Sequence, residues 1–499
     1  MKNNKIPTTF SGLGGALPAV FYLVLTLSGI QTYPTVWVDE GWISEPGWVL
    51  SRGEPLGNPS HGEVFRYEDR VYWMPPLQFL ILAGIDALGA DPLLGGRLVS
   101  AGAGLLTLLL LLAWARPLLA ESAPSRRGLA VALAGLTLAF TLDPTLWKIH
   151  RSIRFESLVN LGLVAAVAAA WNPGRRGRGL LAGVAAGLAI LVHPNGVLAL
   201  VAAGGVLLLR RRTFRASLRD LGAAVGTVAV LCLPFVFYLA GDRGEGFANV
   251  LGQNAPHLRG DHEPVSRAWV TEWRRYAAYF RPPYLLLPLL SWGLAIAAGL
   301  RARTPRALWW AAAAIAGGLA SVPNKSEVYL TALAPFVFVI AARAGLGRRR
   351  KWAAILAGAA VANFLLADVA LLRRSCAYAP VAEWISEKVP PEASVAGTFL
   401  TWFPLRDRRY LEVHRNRAGD LADRRPEYVI WGDRHLEEPL FDRLREELGP
   451  FLVRHAEEVG RLDRSCYGNL VLYRVRWDEA GPATTQAWER WEEAFRDRE

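Results

Sequence analysis

The chain has 499 residues, 52% of them hydrophobic, a composition too apolar for an ordinary soluble enzyme of this length. Its formal net charge of +12 is unevenly placed: 37 basic and 20 acidic residues precede residue 376, and 19 and 24 follow from there on. The basic surplus lies in short loops between apolar blocks, which is the mark of membrane topology and excludes nucleic acid as a partner.

In chain order the apolar blocks lie near 15–33, 77–88, 97–115, 128–147, 156–171, 179–193, 194–209, 219–240, 283–300, 306–323, 327–343 and 352–372. Such blocks, mostly of about 15 to 25 residues, suit helices that cross about 30 Å of hydrocarbon. Lys2 and Lys5 precede the first block with no small-residue cleavage site after it, so that block reads as a membrane anchor with its N-terminus inside. Basic clusters at Arg126-Arg127, Arg175-Arg176-Arg178, Arg210-Arg211-Arg212, Arg301-Arg303-Arg306 and Arg348-Arg349-Arg350-Lys351 mark the cytoplasmic side. Segments 34–75, 148–155, 241–282 and 323–326 then lie outside, with everything after 373. Block 77–88 is short and 179–209 reads as one bent helix or two, so about eleven to thirteen transmembrane helices are expected.

Residues 1–375 thus form a multi-span α-helical membrane domain with two long external loops, and 376–499 a small soluble α/β domain. In the latter, 395–397, 428–431 and 470–473 read as strands and 437–448 as an amphipathic helix, followed by a polar tail over 480–499. Three cysteines exclude a disulfide scaffold and a zinc ribbon. Cys232 lies in an apolar block, whereas Cys376 and Cys466 flank the external domain and are a candidate disulfide pair there. No internal repeat is visible, which speaks against a transporter built from repeated halves.

Ionisable groups at the membrane edge are expensive, so they are candidates for function. Asp39-Glu40 follows the first span by six or seven residues; the pair suits a divalent ion or a general base, or is simply a solvated loop pair. Arg97 opens an apolar helix, where a snorkelling role is the alternative. Lys148-Ile149-His150-Arg151-Ser152-Ile153-Arg154-Phe155-Glu156 puts cations on the external side, against the usual bias, and suits a phosphate or an anionic lipid. His193-Pro194-Asn195-Gly196 breaks an apolar stretch and exposes backbone groups that line a cavity or are capped by neighbours; His193 is a ligand or a satisfied buried histidine. Lys325, with Glu327 and Tyr329, offers a point charge in a chain that has only six lysines. His257, Asp261, His262 and Glu263 read as a solvated loop before they read as a metal site. No Asp-x-Asp pair, Walker loop, His-Glu-x-x-His or Gly-x-Ser-x-Gly occurs.

Val38-Asp39-Glu40, a loop of some 35 residues, Tyr72-Trp73-Met74-Pro75-Pro76-Leu77 and Gly96-Arg97-Leu98 together resemble membrane glycosyltransferases of the C fold (GT-C). The nearest group holds protein O-mannosyltransferases, lipid A aminoarabinose transferases and lipopolysaccharide-core galacturonosyl transferases. Arg151/Arg154–Glu156 and Lys325…Tyr329…Pro335 are similar to later signatures of that group. The resemblance implies an inverting transfer from a polyprenyl-phosphate sugar to a lipid, glycan or protein acceptor on the outer face. By the same resemblance Asp39 takes the acceptor proton and Glu40 orients it or the acceptor, while Arg151, Arg154 and Lys325 stabilise the departing phosphate. Met74 departs from the family pattern, which commonly has lysine before Pro-Pro; Arg66 and Arg70 are the nearby substitutes.

The sequence is therefore read as a bacterial inner-membrane glycosyltransferase surrounded by membrane lipids, its C-terminal domain extracytoplasmic. No cofactor is certain, and a divalent metal on Asp39 and Glu40 stays open. A flippase for lipid-linked sugars and a non-catalytic envelope assembly protein are the alternatives.

Overall fold

A computed structural model describes residues 13–61, 68–123, 125–172, 177–210, 213–241, 246–247, 269–280, 286–300, 304–322, 326–346, 351–369, 376–413, 421, 424–432, 452, 454–465 and 467–477. The chain forms two compact units. The first takes Met1–Ile30, Tyr72–Gln78 and Arg97–Arg373; the second takes Gln31–Val71, Phe79–Gly96 and Arg374–Glu499.

The first unit is helical. Its helices are α1 (Leu13–Leu27), the larger part of α4 (Pro92–Ala120), α5 (Arg126–Thr141), α6 (Pro144–Ile149), α7 (Phe155–Trp171), α8 (Arg178–Val192), α9 (Val197–Leu209) and α10 (Phe214–Ala240). After these come α11 (Trp273–Tyr279), α12 (Leu286–Leu300), α13 (Arg306–Ala320), α14 (Ala334–Leu346) and α15 (Lys351–Asn363). Pro92–Ala120 and Phe214–Ala240 are long and apolar enough to cross a membrane, and several shorter apolar helices accompany them. Helix α10 exposes Phe214, Val230 and Phe237 at 73, 70 and 66%, a surface that water disfavours and hydrocarbon accepts.

The stretch 179–209 is two helices. Pro194 restricts His193 to extended backbone (φ −159°, ψ 143°), which ends α8, and a 3-10 turn over Pro194–Gly196 leads into α9. Gly196 sits so close to the Ala189 carbonyl carbon that an added Cβ would approach it to 2.2 Å. The interior is stapled by buried guanidinium groups. Arg178, expected in a cytoplasmic cluster, is fully buried and donates to Asp220 Oδ2 at 2.8 Å, Ala170 O at 3.0 Å and Leu207 O at 3.2 Å. It thereby ties the ends of α7 and α9 to α10; Arg175 and Arg176 lie outside the described residues.

The second unit contains α2 (Val38–Ser51), most of α3 (Leu77–Ala87), α16 (Ala379–Lys388), α17 (Trp402–Leu405) and a five-stranded sheet. Its strands are β1 (Ser394–Gly397), β2 (Arg409–Glu412), β3 (Tyr428–Gly432), β4 (Ala456–Ser465) and β5 (Gly468–Val475), in the order β2-β1-β3-β5-β4. Strand β1 pairs in parallel with β2 and β3, and β5 runs antiparallel to β3 and β4. Ala396, Leu411, Val429 and Val475 form a core with Val413, Leu421 and Leu452. The edge strand β4 carries Glu457, Glu458, Arg461 and Asp463 and a register shift at Glu458/Gly460, both of which blunt an open edge. The three strands read from sequence are present, β2 and β4 were missed, and the helix expected over 437–448 lies outside the described residues. Cys376 is disulfide-bonded and Cys232 is free; Cys466 lies outside the described residues.

Removing one partner of a buried ion pair costs about 3–5 kcal/mol, because the other charge is left uncompensated. Asp220→Ala is therefore expected to lower the melting temperature of the purified protein markedly. Arg178→Met/Asp220→Ala together should lose less than the sum of the two single changes, as thermal melts of all four proteins will show.

Candidate functional site

In the second unit, Asp39 and Glu40 lie in the first turn of α2, where a carboxylate interacts favourably with the helix dipole. The segment expected as external loop is helical here, buried over most of its circumference, including Ile43 and Val49, with Glu40 closing the N-terminus. The Glu40 Oε2 accepts from the Trp37 backbone N–H at 3.1 Å, and Glu40 N donates to Trp37 O at 2.9 Å. Glu40 is fully buried, whereas Asp39 is half-buried. The structure thus separates two adjacent carboxylates, one engaged in the cap and one partly open to the surroundings. Gly41 lets the helix lie against Phe399, whose carbonyl oxygen would be 2.5 Å from an added Cβ.

Five residues after Glu40 is a carboxylate that sequence reasoning missed. Glu45 is 4% exposed and accepts from Ser60 N at 3.1 Å, Ser60 Oγ at 2.6 Å and Asn58 Nδ2 at 3.0 Å. Burial pushes its pKa up to about 7, although the bonds from Ser60 and Asn58 oppose the shift. The only sign in the sequence is an acid between Ser44 and Pro46 in a tryptophan-rich segment, which does not distinguish a buried carboxylate from a solvated one.

In the first unit the cationic segment divides. Arg154 immediately precedes α7 and makes a forked pair with Glu156, Nε to Oε2 at 3.2 Å and Nη2 to Oε1 at 3.1 Å. Its side chain keeps 22% exposure. Glu156, Asn160, His193 and Tyr329 border one cavity of about 20 Å³, room for about one water. His193 Nδ1 accepts from Asn195 N at 3.0 Å, and its ring lies 5.6 Å from Phe155 and 6.4 Å from Tyr329. Asn160 is fully buried with neither amide atom hydrogen-bonded, and sequence reasoning missed it as well; its signal is a polar residue four positions after Glu156 on one helix face.

Other expected residues have different surroundings. Arg151 is fully buried, donates to Leu25 O at 2.7 Å, Thr26 O at 2.9 Å and Ser28 O at 2.6 Å, and lies over Trp147. A guanidinium so engaged holds the end of α1. Arg97, equally buried, donates to Ile30 O and is not a snorkelling side chain. His150 packs between Tyr22 and Phe140, at ring distances of 5.9 and 5.4 Å, as a core ring. Lys325, His257, Asp261, His262, Glu263 and Arg66 lie outside the described residues, while Arg70 belongs to the second unit. Arg275, unremarked in the sequence, pairs with Glu272 and donates to Leu319 O at 3.0 Å and Ser326 O at 3.2 Å, clasping the segment that leads to Tyr329. Among the described residues no group of three or more His, Cys, Asp or Glu side chains is placed to hold a metal ion.

No protein-family model matches the sequence, and no curated protein matches it. Solved structures do. The chain is similar to ArnT from Cupriavidus metallidurans bound to undecaprenyl phosphate, with a TM-score of 0.62 and 18% identity over 92% of this chain and 98% of that one. The apo state of the same enzyme matches with a TM-score of 0.56 over the same shares at 18% identity. The apo oligosaccharyltransferase of Archaeoglobus fulgidus matches with a TM-score of 0.52 and 11% identity, over 85% of this chain and 70% of that one. This chain therefore has the GT-C fold of membrane glycosyltransferases.

The Glu45 environment yields a pH signature. Burial raises its folded-state pKa above the ordinary value of 4.5, so the native chain holds an extra proton between 4.5 and about 7. The associated stability is full below that window, is lost as pH rises through it, and amounts to something on the order of 3 kcal/mol. Melting temperature measured from about pH 4.5 to pH 8 is expected to fall for the wild type and level off above about pH 7; Glu45→Gln should flatten that slope.

Proposed function

We propose that this protein is an inverting glycosyltransferase that moves a sugar from a polyprenyl-phosphate donor to an extracytoplasmic lipid, glycan or protein acceptor. The observation that carries the reading is the division of labour at the start of α2, within a fold shared with an enzyme solved with undecaprenyl phosphate. Asp39 is the half-buried carboxylate and takes the proton from the acceptor hydroxyl as its oxygen attacks the anomeric carbon. The bond from that carbon to the phosphate oxygen breaks on the opposite side, which inverts the centre. Glu40 keeps the helix turn in place by capping Trp37 and so orients Asp39.

The leaving group is a phosphate, so it needs cations and no general acid. Arg154, held in a fork by Glu156 and still partly exposed, is one; Lys325 is the other. Arg151 acts by fixing the end of α1. The enzyme is read as an inner-membrane protein of about eleven to thirteen spans, with residues 376–499 outside.

Purified wild type and variants in lipid nanodiscs, given labelled polyprenyl-phosphate sugars and an extract of envelope acceptors, test the proposal. Asp39→Asn is expected to lower transfer by about 10²- to 10⁴-fold with the fold intact. Glu40→Gln keeps an oxygen for the Trp37 N–H and should retain far more activity. Arg154→Gln should raise the donor concentration needed for half-maximal rate. A well-folded wild type that transfers no label, or an Asp39→Asn protein as fast as wild type, refutes the reading.

A further inference from the structure

The second unit contains a cavity of about 620 Å³ that Asp39 and Glu40 do not line. Six arginines and four acidic residues surround it, drawn from the second half of α2 and the residues just after it, the turn before β2, β2 itself and the segment 424–427. One wall is structural: Arg408 donates to the carbonyls of Val389, Pro390 and Pro404, at 3.0, 3.1 and 2.8 Å.

Two of the remaining cations, Arg52 and Arg406, flank an indole, and Arg424 is paired with Glu68 at 3.1 Å. The Arg406 guanidinium carbon lies 4.9 Å from the centre of the Trp48 ring, and that of Arg52 lies 5.7 Å from it. Asp407 ties the two together, accepting from Arg52 Nη1 at 2.6 Å, with Oδ2 4.0 Å from Arg406 Nε. Arg406 Nη1 donates to Phe403 O, while its Nε and the Trp48 Nε1 are buried without a hydrogen-bond partner. Arg409, the first residue of β2, is exposed at the same cavity.

Guanidinium groups held beside an aromatic ring are pre-placed for a planar anion and lose little freedom on binding. Forked donors of this kind match carboxylate or phosphate oxygens. The cavity is larger than such an ion requires and falls in the range of about 300–1,000 Å³ used by small-molecule ligands. Glu427 on its rim supplies an acceptor for hydroxyl groups, as does Glu54, whose Oε1 lies 3.7 Å from Arg52 Nε. We infer that the Trp48–Arg52–Arg406–Arg409 cavity binds an acidic saccharide, its carboxylate or phosphate on the guanidinium groups and its hydroxyls on the rim carboxylates. This binding does not depend on the transferase reading, and its test needs no turnover.

Full-length protein in nanodiscs of zwitterionic lipid is titrated calorimetrically with a mannuronate trisaccharide, neutral mannotriose, inorganic phosphate and glycerol phosphate. The acidic trisaccharide is expected to bind at least about tenfold tighter than the other three. Arg406→Gln and Arg409→Gln should each weaken it by about tenfold, and Arg215→Gln, an exposed arginine of α10, should leave it unchanged. Because Arg409 is exposed, its variant decides the matter if Arg406→Gln melts early. Equal affinity for mannotriose shows that no anion is recognised and overturns the inference. Equal affinity for inorganic phosphate or glycerol phosphate reduces the site to a simple anion or lipid-headgroup contact and does the same. Unchanged binding by Arg409→Gln, or no heat with any ligand, also overturns it.

Discussion

The helical unit depends on guanidinium groups that take up the carbonyls at helix ends. Each helix leaves its last carbonyls without intrahelical partners, and hydrocarbon offers none. Arg151 serves the end of α1 and Arg97 the turn that follows it, Arg178 the ends of α7 and α9, and Arg275 the end of α13. All four are fully buried. A buried cation is costly unless it is both paired and hydrogen-bonded, and the carboxylates of Asp220 and Glu272 complete two of these sets.

That constraint changes how an arginine in such a chain is to be read. Position relative to an apolar block does not distinguish a cytoplasmic anchor from a staple or a ligand. Arg178 belongs to a basic cluster in the sequence and to the interior in the structure. Arg151 and Arg154 are three residues apart in one cationic segment; one is consumed by three backbone carbonyls and the other is forked to Glu156 with part of its surface open. The same division separates Asp39 from Glu40, since the third position of a helix reaches back to its cap and the second does not.

The second unit shows a complementary use of burial. Glu45 binds the turn at Asn58 and Ser60 to α2 through three hydrogen bonds, at the cost of a carboxyl that ionises only near neutrality. On the same helix Trp48 carries two guanidinium groups at a cavity. One short helix thus presents a capped acidic start, a buried acid and an aromatic–cationic end, all within Val38–Ser51 and its C-terminal cap Arg52.

Some of this was legible in the sequence. Apolar block lengths follow from the rise of a helix, and short apolar runs rich in β-branched and aromatic residues pointed to β3 and β5, with a shorter run at β1. Asp39-Glu40 stood out because charge beside an apolar block is expensive, and Pro194 with Gly196 announced the break between α8 and α9. Glu45, Asn160, Arg275 and the pocket around Trp48 were hidden, because their partners lie far along the chain. Glu45 meets residues 58 and 60, Arg275 meets 319 and 326, and Trp48 meets Arg406. By itself the sequence determined the helical membrane character, the α/β end and the acidic pair, since these rest on local periodicity and on the energetic cost of charge near hydrocarbon. Only the tertiary structure decided which arginines are staples, which carboxylate is open and where a cavity forms, because burial and hydrogen-bond partnership depend on contacts that no local pattern encodes.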